Sequence, residues 1–356
     1  MKNITFLGDI FLDHRIDGDP FVNVKDVLLR NTLVLANLET VLYNGLDVAK
    51  RKRVAIRCTE ESVIYLTNNN IGVVNIANNH ILDYGTQGYD KTIEILKDCG
   101  IATCGVKEPI IIDTKESRIA FFSYYEYGDN NHICRLSINR ISEDIKRVRS
   151  HTDYIFVMLH WGYEYVNLPT SNQRYLANRI IDAGADCIIG HHPHVVQAIE
   201  TINGKPVFYS LGNFQFGVDQ DKLYCGADYG YIVQLFFING GIEYKIIPVS
   251  IDKEYRPLIA SHLRTIDITH VNNDIIYNIF TYCITSRVFL TSQYNSWINR
   301  ITRYGKWEIL KFIKAQFSFL YIKMNFFFII SLVYLRLFPR PKNIKEDIKI
   351  YHYETN

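Results

Sequence analysis

Ala185-Asp186-Cys187-Ile188-Ile189-Gly190-His191-His192-Pro193-His194 is the stretch whose reading decides the rest of the chain. Its apolar run, Cys187 to Ile189, reads as a buried strand that Gly190 stops, and three imidazoles follow within four positions. Neutral imidazole is the commonest protein ligand for a transition metal. His192 and His194 stand two apart at a strand end, so they offer nitrogens to one ion or to two adjacent ions. Pro193 between them fixes φ and removes a competing donor. The bland alternative is a set of solvated loop histidines. Three of them directly behind a strand favour a metal site, and such a site needs carboxylates from elsewhere.

Working outward, the same pattern of an apolar run ending in polar residues recurs. Ile4 to Leu7 ends in Gly8-Asp9, Leu33 to Ala36 in Asn37-Leu38-Glu39, and Val73 to Ala77 in Asn78-Asn79-His80. Tyr154 to Leu159 ends in His160-Trp161-Gly162, and Pro206 to Ser210 in Leu211-Gly212-Asn213-Phe214. Ile119 to Ser123 is a further strand, and Tyr231–Ile238 with Glu243–Ile251 form an antiparallel pair around Asn239-Gly240-Gly241. Between the strands, helical spacing predicts helices from a Thr86 cap to Gly100, over Asn139–Arg149 and over Gln173–Ala183. Strands alternating with amphipathic helices make the body α/β, with ligands gathered at the C-terminal strand edges.

Collected, the strand-end residues are Asp9, Glu39, Asn79, His80, His160, His192 and His194. Carboxylates, an amide oxygen and imidazoles form a mixed ligand set that suits Mn, Fe or Zn better than Ca or Mg. With a bridging carboxylate, one or two divalent ions fit such a set, two ions lying about 3.5–4 Å apart as in many phosphatases and nucleases. Metals so held lower the pKa of a bound water and neutralise phosphoryl charge. Asp9 and Glu39 belong to that catalytic core, and His80, if not a ligand, is placed to protonate a leaving group. His191 reads either as a group orienting a ligand or as packing. Trp161, Tyr163, Glu164 and Tyr165 read either as a substrate groove or as loop packing.

The motifs Gly8-Asp9, Asn37-Leu38-Glu39-Thr40, Ala77-Asn78-Asn79-His80-Ile81-Leu82-Asp83-Tyr84-Gly85, His160-Trp161-Gly162-Tyr163-Glu164-Tyr165, Gly190-His191-His192-Pro193-His194 and Tyr209-Ser210-Leu211-Gly212-Asn213-Phe214 occur in that order. Together they resemble the capsule synthesis protein CapA family, named for poly-γ-glutamate capsule biosynthesis and similar to calcineurin-like metallophosphoesterases. The resemblance covers about Met1 to Asp252. It implies a four-layer α-β-β-α sandwich with metals at strand ends. It also implies one ion on Asp9, Glu39 and His194, a second on Glu39, Asn79, His160 and His192, and His80 as the acid. Two positions depart from the pattern: Phe11 stands where metallophosphoesterases usually carry a histidine, and Glu39 where the broader superfamily has aspartate. The first ion position is thereby one ligand short, leaving it weak, empty, or completed by nearby Asp13 or His14.

Composition divides the 356 residues in two. The net charge of +2 hides ten Lys or Arg against the single acidic Glu308 between Trp297 and Lys345, a local +9 that leaves −7 on the remainder. Residues 1–252 are expected to form the CapA-like domain, and 253–356 a helical basic and aromatic region. Within the latter the uncharged core Met324 to Leu335 is twelve residues, short of the about 20 a spanning helix needs. Basic residues beside aromatic and aliphatic ones fit a helix at an anionic membrane surface; a lid packed on the sandwich is the alternative. Seven cysteines without a C-x-x-C pair, and an N-terminus with no signal-peptide core, point to the cytoplasm, peripheral on the inner membrane face if the tail attaches there. The expected function is metallophosphoesterase-type hydrolysis in capsule or surface-polymer biosynthesis. The rivals are a non-catalytic metal-binding accessory protein of a capsule-synthesis complex and a metal-dependent amidase on a γ-linked peptide. Expected partners are an anionic polymer or phosphorylated small molecule as substrate, and capsule-synthesis proteins; no recognition helix or glycine loop suggests nucleic acid.

Overall fold

The computed structural model describes residues 3–12, 17–30, 33–47, 55–114, 117–129, 131–217, 226–238 and 240–265. Asp13, His14, the Asn239 turn position and the whole tail from 266 onward, with its helices and membrane-surface reading, lie outside the described residues.

The first half of the chain builds one α/β layer pair. It runs β1 (Asn3–Ile10), α1 (Lys25–Leu29), β2 (Leu33–Leu38), the two-residue β3 (Val41–Leu42) and β4 (Arg57–Cys58), and α2 (Val63–Thr67). β5 (Ile71–Asn75), α3 (Gly85–Asp98) and β6 (Ala102–Cys104) complete it. The second half runs β7 (Ile110–Asp113), β8 (Arg118–Tyr125), α4 (Ile138–Val148), β9 (Tyr154–His160), α5 (Ser171–Asp182), β10 (Cys187–His191), β11 (Ile199–Ile202) and β12 (Lys205–Phe208). The chain then returns to the first sheet with β13 (Asn213–Gln215), β14 (Tyr229–Ile238), β15 (Gly241–Ile251) and β16 (Pro257–Ile259). The larger sheet has the order β16-β15-β14-β1-β2-β5-β6, with β13 paired to β1; the smaller has β11-β12-β10-β9-β8-β7. The sheet therefore continues past Asp252 through β16, and Tyr229 Oη donates to the His262 carbonyl at 2.7 Å.

Three apolar clusters fix the layering. Phe6, Leu35 and Val73 of the large sheet meet Phe121, Phe156, Met158 and Ile189 of the small one, so the two sheets pack face to face. The Phe6 and Phe156 rings meet edge-on at 5.9 Å. The outer face of the large sheet packs on the helices through Leu28, Leu66 and Leu96, and that of the small sheet through Ile141, Ile145, Ala177 and Ile180. Each fully buried aliphatic or aromatic side chain contributes about 1.5–3 kcal/mol. These clusters make the four layers expected from the resemblance: helices, sheet, sheet, helices.

The predicted elements are found with small shifts of their ends, each with a local cause. α5 starts earlier than its apolar spacing suggests, because Thr170 closes a capping box with Gln173. The helix expected to start from a Thr86 cap instead begins at Gly85, whose φ of +69° lets the chain turn into it, so Thr86 lies inside the helix. The strand expected to run to Ala77 stops at Asn75, where the side-chain Oδ1 of Asn75 accepts the Ala77 N–H at 2.8 Å and breaks the ladder. At Gly190 the small sheet leaves no room for a side chain, since a Cβ would lie 1.9 Å from the Tyr209 carbonyl oxygen.

Register does the positioning. Asp9 pairs laterally with Asn37 and with Asn213, and Asn37 with Asn75, so the C-terminal ends of β1, β2 and β5 form one row beside β13. In the other sheet His191 pairs with His160, and His160 with Tyr125. Both sheets present their polar ends at the same edge of the sandwich.

Candidate metal centre

All seven expected site residues converge there. Glu39, His160 and His192 each offer a ligand atom within 4.8 Å of the others, and so do Asp9, Glu39 and His194. Glu39 is common to both triads. Its carboxylate stands 3.6 Å from His160 Nε2 and 3.6 Å from His194 Nε2. Asn79 joins the first triad, its Oδ1 lying 2.8 Å from His160 Nε2.

Asp9, Glu39 and His160 are fully buried. Two buried carboxylates this close need positive charge beside them. Burial, with the charges of His192, His191, His194 and His80 adding to it, holds His160 well below the ordinary imidazole value. Burial likewise pushes His192 down to about 4, despite the opposing charge of Glu164. Both imidazoles are therefore in the neutral form that binds metal. Burial alone would raise the Asp9 carboxyl, but the hydrogen bond and charge of His191, the charge of His194 and the amide of Asn37 together hold it below the usual carboxylate range. His192 Nδ1 is buried with no hydrogen-bond partner, as fits a nitrogen whose partner is an ion. On these grounds the residues fit divalent metal.

Supporting side chains hold the set in place. Asn37 Nδ2 donates to Asp9 Oδ1 at 2.8 Å and to Glu39 Oε2 at 3.2 Å, and its own Oδ1 accepts from Asn75 at 2.9 Å. Ser123 in turn donates to Asn75 Oδ1. Asn213 Oδ1 lies 2.9 Å from His194 Nδ1, which leaves Nε2 facing Glu39. His191 is an orienting group: its Nδ1 lies 3.0 Å from Asp9 Oδ1. The backbone is strained at the same place, with φ of 96° at His192, 57° at His194, 62° at Tyr165 and 58° at Leu12.

His80 stands beside the cluster. Its Nδ1 lies 2.6 Å from Asp83 Oδ2, and Asp83, fully buried, also accepts the Ile56 N–H at 2.9 Å. The aromatic motif after His160 splits. Trp161 is packing, buried at 1% exposure with its indole N–H donating to the Tyr209 carbonyl at 3.0 Å. Tyr165 stacks on His194 with 5.7 Å between ring centres, and Tyr163 is exposed. Sequence reasoning left Asn37, Asp83 and Asn213 without roles, although all three lie inside the quoted motifs.

Residues 3–218 match the family described as bacterial capsule synthesis protein PGA_cap. The chain belongs to that family. Among relatives of this PGA_cap chain, the PGA biosynthesis protein CapA of Bacillus subtilis is 30% identical over 272 residues, 69% of this chain and 71% of the relative. The capsule biosynthesis protein CapA of Bacillus anthracis is 30% identical over 243 residues, 60% of this chain and 59% of the relative. A solved structure, that of a novel phosphatase from Mycoplasma pneumoniae, overlays 70% of this chain and 93% of its own at a TM-score of 0.48 and 11% identity. Five cysteines among the described residues of the PGA_cap chain are free thiols. Among the described residues no helix is long and apolar enough to cross a membrane.

The depressed His192 carries a stability consequence. Between its folded value of about 4 and the ordinary 6.5, the unfolded chain binds a proton that the folded chain refuses, so stability falls as pH is lowered through that window. The loss from this group is about 3 kcal/mol, and Asp9 adds to it at lower pH. Chelator-treated protein is expected to show a falling Tm from pH 7 to pH 4.5, with a shallower fall in His192→Asn. A Tm level across that range contradicts the assignment.

Proposed function

We propose that this chain is a metal-dependent hydrolase of metallophosphoesterase type, acting in capsule or surface-polymer biosynthesis. One observation carries the reading: a buried carboxylate, Glu39, is shared by two ligand triads while a His–Asp pair, His80–Asp83, stands beside them. When bound there, Mn, Fe or Zn would activate a water and offset the charge of an anionic substrate. Asp9, Glu39, Asn79, His160, His192 and His194 would hold the ions. His80, fixed through Nδ1 by Asp83, gives a proton to the leaving oxygen from its other nitrogen. An anionic polymer or a phosphorylated small molecule is the substrate class, since anionic oxygens are what such ions bind. Family membership and the names of the two CapA relatives support capsule-synthesis proteins as partners.

Purified full-length protein loaded with Mn is expected to hydrolyse a generic phosphodiester and to lose that activity on chelation. Metal binding without turnover would instead favour the accessory reading. Phe11 in place of the usual histidine is the observation on that side.

The basic, aromatic region beyond Thr265 is proposed to work apart from the hydrolytic body, resting on an anionic membrane surface at the cytoplasmic face. Flotation with anionic vesicles at low salt, compared with the chain truncated after Thr265, tests it; full-length protein that stays unbound rules it out.

A further inference from the structure

The two triads sharing Glu39 are not built alike. Around His160 the protein offers four donors: Glu39, Asn79, His160 and His192. On the other side, among the described residues, it offers three: Asp9, Glu39 and His194. Two residues past Asp9, where the resemblance leads one to expect a histidine, stands Phe11. Phe11 is 6% exposed and packs with Ile56 and Phe216 in a small apolar cluster of its own. Its ring centre lies 5.6 Å from that of Phe216, and Phe216 meets the His194 ring edge-on at 4.7 Å. An apolar wall therefore borders the His194 side of the cluster, and desolvating an ion against it is costly.

Asp9 is also committed to protein donors. Its Oδ1 takes Asn37 at 2.8 Å and faces His191 Nδ1 at 3.0 Å, while Oδ2 faces the His192 backbone N–H at 3.4 Å. Each of these donors competes with an ion for the lone pairs of the carboxylate.

We propose that the centre is asymmetric: one divalent ion is held tightly by Glu39, Asn79, His160 and His192, and the position at Asp9, Glu39 and His194, walled by Phe11 and Phe216, fills only at much higher metal concentration. Asp9 then serves chiefly to hold His191 and the turn at His192. A reaction that needs both ions switches on at the second, higher metal concentration. The inference rests on reading the cluster as a metal centre, and deepens it.

The test is a titration of metal-free, full-length protein with Mn2+, followed by calorimetry and electron paramagnetic resonance. The expected result is one tight equivalent with the signal of an isolated ion, and a second about 10–100-fold weaker, the scale set by losing a supporting group at a metal site. His194→Ala is expected to leave the tight equivalent unchanged and abolish the second. Phe11→His is expected to narrow the gap at least tenfold; the His194 variant keeps the test decisive should Phe11→His fail to fold. Two equivalents of equal affinity with an exchange-coupled signal, or a weakened first equivalent in His194→Ala, would overturn the asymmetry and leave the metal centre standing. No binding of Mn2+ at any concentration would overturn both.

Discussion

Alanine at His160 is expected to lower Mn2+ affinity by at least about 100-fold and to abolish metal-dependent hydrolysis. This imidazole is the hub of the site. It sits fully buried at the end of β9, 2.8 Å from Asn79 Oδ1, 3.6 Å from Glu39, and with its ring centre 4.6 Å from that of His192. It meets the Tyr125 ring edge-on at 5.4 Å, so its orientation is set by packing before any ion arrives. Removing it deletes one of four donors and a contact of a second, Asn79. It also opens a small cavity in a close-packed region, so some loss of stability is expected alongside. Circular dichroism and Tm separate that loss from the loss of metal. A His160→Ala protein that is folded and still binds Mn2+ as the wild type does would remove His160 from the ligand set.

His80→Asn is expected to reduce turnover by about 10²–10⁴-fold while leaving Mn2+ affinity unchanged. The difference from His160 lies in its partners. His80 is paired through Nδ1 with a buried carboxylate outside the ligand cluster, at 2.6 Å, and its side chain keeps 13% exposure toward solvent. A group held that way has one nitrogen to spare for a substrate. Asp83→Asn keeps the shape of the pair but donates where Asp83 accepts, and the Ile56 N–H, at 2.9 Å, loses a charged acceptor. Asp83 acts as a positioning residue, so Asp83→Asn should lower kcat less than His80→Asn and leave Mn2+ affinity unchanged. Loss of metal affinity in His80→Asn would make His80 a ligand.

The site was legible in outline because each member stands directly after an apolar run, at an end where a buried sheet meets water. That placement is local, and it found Asp9, Glu39, Asn79, His80, His160, His192 and His194 together. What was not local was hidden. Asn37 looks like any polar strand end, yet lateral pairing with Asp9 and Asn75 puts its amide between the two carboxylates. Register is a property of two strands, and one strand cannot state it. Asn213 braces His194 for a similar reason, since β13 reaches β1 only after the chain has crossed both sheets. Trp161 was equally open to groove or core, and burial against Tyr209 decided for the core. The end of β5 was misplaced by two residues because the Asn75 side chain competes with the ladder, a contest that apolar periodicity does not weigh.

Anomalous scattering at the manganese edge, from crystals of the full-length protein grown with Mn2+, tests the central claim most directly. The account predicts a strong peak among the side chains of Glu39, Asn79, His160 and His192. Manganese bound elsewhere, or no peak among these side chains at saturating Mn2+, would contradict it.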